Sequence, residues 1–297
     1  MDYSLKVKVL PEKGETILAD SFYTAPGGKG ANQAVSAKRL GAQVYMIGAI
    51  GKDSNGKELT DKLKEEGVIT SGIKSVDTPT GNAMITVDHD GSNTIVVYPG
   101  ANGDTDENWL IKNITVIEDA DFIIMQLEIP VKTVIAAVKL ANRLKKKVIL
   151  NPAPASILPE EIFEGIDYIT PNETELAVIT GTKDIKKGAE ILLNKGVENV
   201  IVTLGDKGCY FKNKDNEIYM ESYKVHSIDS TAAGDSFNAA VAVALCEGKT
   251  YKQALQYANV VGALTTTELG AMETLPHKDE VERIIKNKKN AATNQNS

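Results

Sequence analysis

Cysteine is scarce in this sequence: Cys209 and Cys246 are the only two among 297 residues, far apart and in no metal-ligand spacing. That excludes a disulfide framework or a zinc site as the organising device and fits a reducing, cytoplasmic setting. Histidine is nearly as rare. His89, His226 and His277 are isolated from one another and from both cysteines, so they read as surface or internally satisfied side chains rather than ligands. No apolar run approaches the roughly 18 residues of a membrane-spanning helix. The opening Met1-Asp2-Tyr3-Ser4 leads into lysine and glutamate, not into the apolar centre of a signal peptide. A basic excess is also missing. With a net charge of −7, the chain offers nucleic acid nothing to bind. The run Lys145-Lys146-Lys147 closes a helical pattern and reads as a solvated helix end. No internal repeat is visible.

What remains is ordinary globular composition, 42% apolar and 25% charged, enough to bury a substantial core as one large domain or two smaller ones. Two kinds of strand pattern occur. Leu5, Val7 and Val9 alternate with lysines and predict an edge-type strand within the first 23 residues. Ala83–Val87 and Thr94–Tyr98 alternate in the same way around His89-Asp90-Gly91, whose Asp-Gly marks a hairpin. One-sided strands of this kind suit a small antiparallel sheet that covers something. By contrast Val44–Ile50, Phe122–Leu127, Val148–Leu150 and Val200–Leu204 are continuous apolar runs, expected of strands buried on both faces.

Helical patterns fall between those runs: Gly30–Leu40, Asn55–Glu66, Val131–Leu144 and Ala189–Lys195. The alternation predicts an α/β domain, a three-layer α/β/α arrangement around a mainly parallel sheet with a small β-sheet lid. One domain over 1–285 is expected, with lid segments at about 4–23 and 81–98 and a frayed tail over 286–297. Two long helices are expected near the end, Phe237–Glu247 and Tyr251–Thr267. In the first, Phe237, Val241, Ala244 and Leu245 follow a one-sided apolar stripe.

The strongest chemical signal is Asp229-Ser230-Thr231-Ala232-Ala233-Gly234-Asp235-Ser236-Phe237. Small residues just before a helix let a ligand approach the backbone, and the first free N–H groups of the helix would meet negative charge on a transferred phosphoryl group. Asp235 stands where a carboxylate can take a proton from an attacking hydroxyl. Alternatively, Asp229 or Asp235 simply caps a helix. Gly27-Gly28-Lys29-Gly30-Ala31-Asn32-Gln33-Ala34 is not a Walker A loop, because Gly30 stands where Ser or Thr is needed, and it also fails the G-x-G-x-x-G spacing. It is either a polyol-binding helix start or a plain glycine-rich turn. Glu128 ends an apolar run, where open α/β sheets bind ligands. Asn172 and Glu175 share a helix face near a metal, or they form a helix cap. Thr203-Leu204-Gly205-Asp206-Lys207-Gly208 is a tight turn between strands.

Taken in order, these motifs resemble the ribokinase-like, phosphofructokinase-B type family of carbohydrate kinases, over essentially Leu5 to Val281. Met125-Gln126-Leu127-Glu128, Asn151-Pro152-Ala153-Pro154-Ala155 and Thr170-Pro171-Asn172-Glu173-Thr174-Glu175 add to the two glycine-bearing motifs. The resemblance implies ATP-dependent phosphorylation of D-ribose at O5 with Asp235 as base, and an anion hole at Ala232, Ala233 and Gly234. It implies sugar contacts from Asp2, Gly27, Gly28, Lys29, Asn32 and Glu128. The ATP site it implies comprises Asn172, Glu175, Thr203, Gly205, Asp206, Gly208, Gly234 and Asn259, with Mg²⁺ reached from Glu175 through water. A monovalent cation, K⁺, is implied at Asp229, Thr231, Thr265, Glu268, Gly270 and Thr274, whose hard oxygens suit it. A homodimer through the lids is implied too. The family opens with a buried strand and Gly-Ser-x-Asn before the residue matching Asp2. This chain starts at Met1-Asp2, so the first strand of the fold is expected to be missing and Asp2 to sit at a loose terminus. Sibling kinases acting on fructose, a nucleoside or a deoxy sugar acid share these motifs, and a weakly active sugar-binding form is the third reading.

Overall fold

Two periodicities sort the strands into two sheets of different character. The computed structural model describes residues 1–294, and its elements run as follows. The first part comprises β1 (Asp2–Lys6), β2 (Ser21–Ala25), α1 (Lys29–Arg39), β3 (Tyr45–Gly51), α2 (Ser54–Glu65), β4 (Ile69–Val76), β5 (Asn82–Val87) and β6 (Asn93–Tyr98). There follow α3 (Glu107–Lys112), α4 (Ile114–Asp119), β7 (Phe122–Met125), α5 (Val131–Arg143), β8 (Lys147–Leu150), β9 (Tyr168–Ile169), α6 (Glu173–Thr180) and α7 (Ile185–Asn194). The last part is β10 (Asn199–Thr203), β11 (Cys209–Asn213), β12 (Glu217–Met220), α8 (Ala233–Cys246), α9 (Tyr251–Thr265) and α10 (Lys278–Asn294).

Three of the four continuous apolar runs fall in the central sheet, ordered β12-β11-β10-β9-β8-β7, parallel from β7 to β10 and antiparallel beyond, whereas Val44–Ile50, expected to be buried on both faces, forms β3 outside it. Val148, Ile149 and Leu150 are fully buried, as runs covered by helices on both faces should be. A separate parallel pair, β3-β4, carries no ladder to that sheet. Its edge strand β3 and the edge strand β7 are both only half-buried through most of their apolar length, whereas β8 and β10 are buried almost end to end.

The alternating segments form the lid, a four-stranded sheet ordered β2-β1-β5-β6. Here β1 is an interior strand, antiparallel to β2 and parallel to β5, not the edge expected from its lysines. Lys6 and Lys8 are exposed, yet both backbone edges of β1 are paired. β5 and β6 make the hairpin that Asp90-Gly91 predicts, with Asp88 Oδ1 accepting the N–H groups of Asp90 and Ser92.

Helix α8 departs from its expected stripe. Every residue from Asp235 to Ala244 is buried, because the small side chains Ala239, Ala240, Ala242 and Ala244 let neighbours close in all round. It also begins four residues before Phe237, which puts Asp235 inside its first turn. Helix α7 starts a turn early as well, since Asp184 accepts from Lys187 N at its N-cap. The stretch from Lys286, expected to be frayed, is helical in α10 as far as Asn294, and 295–297 lie outside the described residues. Among the described residues no helix is long and apolar enough to cross a membrane.

Candidate functional site

Two glycines let the chain enter α1 tightly. Gly28 holds φ at 100° as the N-cap, a left-handed conformation in which a side chain would be strained. A Cβ on Gly27 would overlap the Asp2 carboxylate. Asp2 is therefore clamped against the glycine loop from within β1, and the expectation of a loose terminus does not hold. Met1 is buried and its ammonium donates to Gly81 O at 3.1 Å. At the start of α1, Lys29 N donates to Glu128 Oε2 at 2.9 Å, tying the loop to the segment after β7.

One turn on, α1 turns two polar side chains into the protein. Asn32 Nδ2 donates to Asp235 Oδ2 and Gln33 Nε2 to Asp235 Oδ1, both at 2.9 Å. Asp235 is 6% exposed, and burial pushes its pKa up, against the pull of the Lys29 charge and of these two amides. Burial likewise raises Asp2, Glu128 and Glu175, each of which feels both Asp235 and Lys29. Lys29 is thus the cation shared by four carboxyl groups brought together from β1, the β7 end, α6 and α8.

Helix α8 starts without a side-chain cap. Its N-cap is Ala232, a non-glycine residue held at φ 59°. Ala233 N donates to Ser230 O at 3.2 Å, so of the three expected anion-hole amides this one is engaged. Among the described residues, the N–H groups of Ala232 and Gly234 meet no acceptor, and neither does that of Asp235.

The expected cation residues gather behind this helix start. Asp229 Oδ1 accepts from Thr231 N and Oγ1, and its Oδ2 accepts from Gly270 N at 3.1 Å. The N–H groups of Ile228 and Asp229 go to Thr266 O, so the 228–231 and 266–274 loops are locked together. Thr274 Oγ1 donates to Ala271 O, Thr265 Oγ1 pairs with Ser236 Oγ at 2.8 Å, and Glu268 is exposed.

On the other side, Asn172 and Glu175 form a full capping box at α6: Glu175 N donates to Asn172 Oδ1, and Asn172 N donates to Glu175 Oε2. Asn172 Nδ2 donates to the remaining oxygen, Glu175 Oε1, at 2.9 Å. A bridge from Asn172 to Thr203 sets this cap beside the β10 end, where Gly205, Asp206 and Gly208 make the turn into β11. Asp206 is exposed there. Asn259 of α9 donates to Met220 O and Glu221 O, both at 3.3 Å, and shapes a cavity of about 580 Å³ with Ile218, Tyr223, Gln256 and Val260. That volume suits a small organic ligand.

Three polar residues of the centre had no role assigned from the sequence: Gln33, Gln126 and Asn151. Gln126 Nε2 donates to Gln33 Oε1 at 2.6 Å and Gln33 Nε2 also reaches Asn151 Oδ1 at 3.2 Å. Asn32 and Gln33 stand out as polar in a buried helical stretch otherwise made of Ala, Val and Ser, which marks a buried amide at Gln33 but not its partners, and nothing local marks Gln126 or Asn151.

The family described as "pfkB family carbohydrate kinase" matches residues 1–278. The ribokinase of Haemophilus influenzae is 39% identical over 285 residues, which cover 94% of this chain and 93% of that one. The ribokinase of Bacillus subtilis is also 39% identical, over 96% of each. Among solved structures, Arabidopsis thaliana ribokinase complexed with ribose and ATP is similar with a TM-score of 0.90, at 32% identity over 96% of this chain and 95% of that one.

Proposed function

The chain belongs to the pfkB family of carbohydrate kinases, and from that premise we propose that it transfers the γ-phosphoryl group of ATP to O5 of D-ribose, giving ribose 5-phosphate and ADP. The observation that carries this reading is the buried Asp235 side chain in the first turn of a helix where, among the described residues, the N–H groups of Ala232 and Gly234 meet no acceptor. The ribose hydroxyl gives its proton to Asp235, the freed oxygen attacks the γ-phosphorus, and the N–H groups of Ala232 and Gly234 meet the charge that gathers on the phosphoryl oxygens. Ala233 joins them once its turn to Ser230 opens. A carboxylate pushed upward by burial suits a base working near neutral pH. Asp2, Gly27, Gly28, Lys29, Asn32 and Glu128 hold the sugar. Asn32 Oδ1, buried and without a partner among the described residues, is available to accept from a sugar hydroxyl.

Asn259 and its cavity take the base end of the nucleotide, and Thr203, Gly205, Asp206 and Gly208 line the way to the phosphates. Mg²⁺ fits near Glu175 through water, because each carboxylate oxygen keeps a lone pair beyond its bond to Asn172. When bound, the ion neutralises phosphate oxygens. K⁺ belongs to the same reading, beside Asp229, Thr231, Thr265, Glu268, Gly270 and Thr274 where the 228–231 and 266–274 loops meet, and there it would strengthen the positive field behind Ala232. A cytoplasmic location belongs to the same proposal, since ATP is supplied there. A coupled ADP-release assay on a panel of ribose, deoxyribose, fructose and nucleosides, with and without K⁺, tests it. A sugar preferred over ribose would overturn the substrate.

Lys29→Met removes the cation that four carboxyl groups share. We expect kcat/KM for ribose to fall about 10- to 100-fold, the scale of one or two charge-assisted hydrogen bonds. Steady-state kinetics against both substrates read it, and an unchanged kcat/KM would remove Lys29 from the site.

The lid supplies a second expectation, a homodimer. Phe22, Tyr23, Met84, Ile95, Val96 and Val97 are all exposed, and β6 leaves one ladder edge open. Light scattering should give twice the monomer mass for the protein and the monomer mass for Val96→Asp. A monomeric unsubstituted protein at micromolar concentration would refute the dimer.

A further inference from the structure

Asp235 is held by more than its neighbours on the sugar side. Gln33, 2% exposed, uses every polar atom of its amide on protein partners. Its Oε1 accepts from Gln126 Nε2 at 2.6 Å, so the Nε2 end must face the other way, where it donates to Asp235 Oδ1 at 2.9 Å and Asn151 Oδ1 at 3.2 Å. Asn151 is fixed in turn, its Nδ2 donating to Thr170 O at 3.2 Å. The result is a relay of three amides that crosses beneath the site, from the ends of β7, β8 and β9 through α1 to the first turn of α8.

A carboxylate on a single methylene has a broad, roughly two-fold torsion at its last bond. Nothing in α8 itself sets that angle. The angle is set by one donor on each oxygen: Gln33 on Oδ1 from the relay side, and Asn32 on Oδ2 from the side that also carries Lys29 and Glu128. We infer that Gln33, aligned by Gln126 and Asn151, is a positioning residue that locks Asp235 with Oδ2 turned to the acceptor hydroxyl. Gln33 touches neither sugar nor nucleotide. Its amide also stabilises the ionised form of Asp235, since it donates to the carboxylate and has no acceptor atom free to turn toward it. The charged groups that face Asp235 from the surrounding elements are Lys29 on α1, Asp2 on β1, Glu128 after β7 and Glu175 on α6. Lys29 holds the carboxylate ionised and the three acids oppose it, which makes the one neutral donor on Oδ1 matter.

The inference rests on Asp235 acting as the base, so its test has one arm that reads turnover and one that does not. Gln33→Met keeps the length and bulk and removes both polar ends. We expect kcat to fall about 10- to 100-fold, KM for ribose to stay within about threefold, and the acid limb of the kcat profile to move up by about one pH unit. Gln126→Met leaves the contact to Asp235 in place but lets the Gln33 amide turn over, so the limb should move the same way by less. The second arm follows the Asp235 carboxyl carbon by ¹³C NMR, identified by its loss in Asp235→Asn, in the full-length protein and in both variants. A titration midpoint higher in Gln33→Met than in the unsubstituted protein supports the positioning role even if no sugar is phosphorylated. An unmoved midpoint, with Gln33→Met merely melting at lower temperature, would reduce the relay to a packing feature. Loss of all kinase activity in the unsubstituted protein would instead sink the function and leave the NMR result to stand alone.

Discussion

Asp235→Asn should lower kcat by about 10²- to 10⁴-fold, the span expected of a lost general base, bind ribose and ATP within a few-fold of the unsubstituted protein, and melt no earlier at neutral pH. The unusual part is the last. Asp235 is a buried carboxyl whose folded pKa is raised above its unfolded value. Stability from such a group is fully present below the unfolded pKa, where both states hold the proton, and is lost as pH rises through the folded pKa. At neutral pH the ionised side chain is therefore a cost to the fold, and the neutral amide removes it. The substitution also has a way to keep its hydrogen bonds. Asp235 accepts from two amide donors, so an asparagine there would set one NH₂ against another. Asn32 can relieve that by turning over, which sets its Oδ1 against the new NH₂ and brings its Nδ2 to the place of the partnerless Oδ1, where a sugar hydroxyl can accept from it. Calorimetry across pH checks the sign: the gain in Tm should shrink as pH falls into the acid range. A loss confined to KM would mean that Asp235 only positions the sugar, and a variant that melts several degrees lower at pH 7 would mean that the carboxylate stabilises the fold.

The reacting group was readable in the sequence because its signal is local, whereas other features depend on contacts distant along the chain. Buried central strands announce themselves as uninterrupted apolar runs, and Asp235 stands among small residues before a helix. The first of these readings holds for β8 and β10, which are buried almost end to end. Helix α8 was harder, since alanines count weakly toward a stripe yet pack on every side, and only the tertiary arrangement of α1, α9 and the sheet reveals full burial. The Asn172–Glu175 spacing fits a cap and a metal neighbour equally. The structure realises the cap, and the spacing alone could not separate the two. Gln33 was hidden for another reason. Its three bonds run to residues 93, 118 and 202 positions away, and no local pattern encodes a contact of that kind. Asp2 was misjudged because a terminal position suggests fraying, whereas pairing on both edges of β1 holds it in place.

A strand laid between β3 and β7 should raise the melting temperature on the order of 10 °C, at about 2–4 °C per kcal/mol for a chain of this size class. Both strands end their sheets with one edge unpaired. They border the same place: a Cβ on Gly30 would touch both Met46 of β3 and Gln126 just past β7. They also run in the same direction. The Met1 ammonium feels Asp53, two residues past the β3 end, and Glu128, three past the β7 end, so both carboxyl ends converge on Met1. Residues added ahead of Met1 would thus enter between the two edges parallel to both. Each half-buried side chain they cover, among them Ile47, Ile123 and Ile124, gains part of the roughly 1.5–3 kcal/mol of full burial. The backbone of each added residue costs about 1–2 kcal/mol to order, which burial of its own Val or Ile side chain, worth roughly 1.5–3 kcal/mol, together with the covered edge residues exceeds by a few kcal/mol in all. Extension also exchanges a buried ammonium, its pKa lowered by desolvation, for a neutral amide. The comparison is between the chain lengthened by six residues rich in Val and Ile and the same chain lengthened by six Gly and Ser. Only the apolar extension should raise Tm, and it should slow amide exchange in β3 and β7 together. Equal melting of the two extended chains would show that these edges do not take a strand.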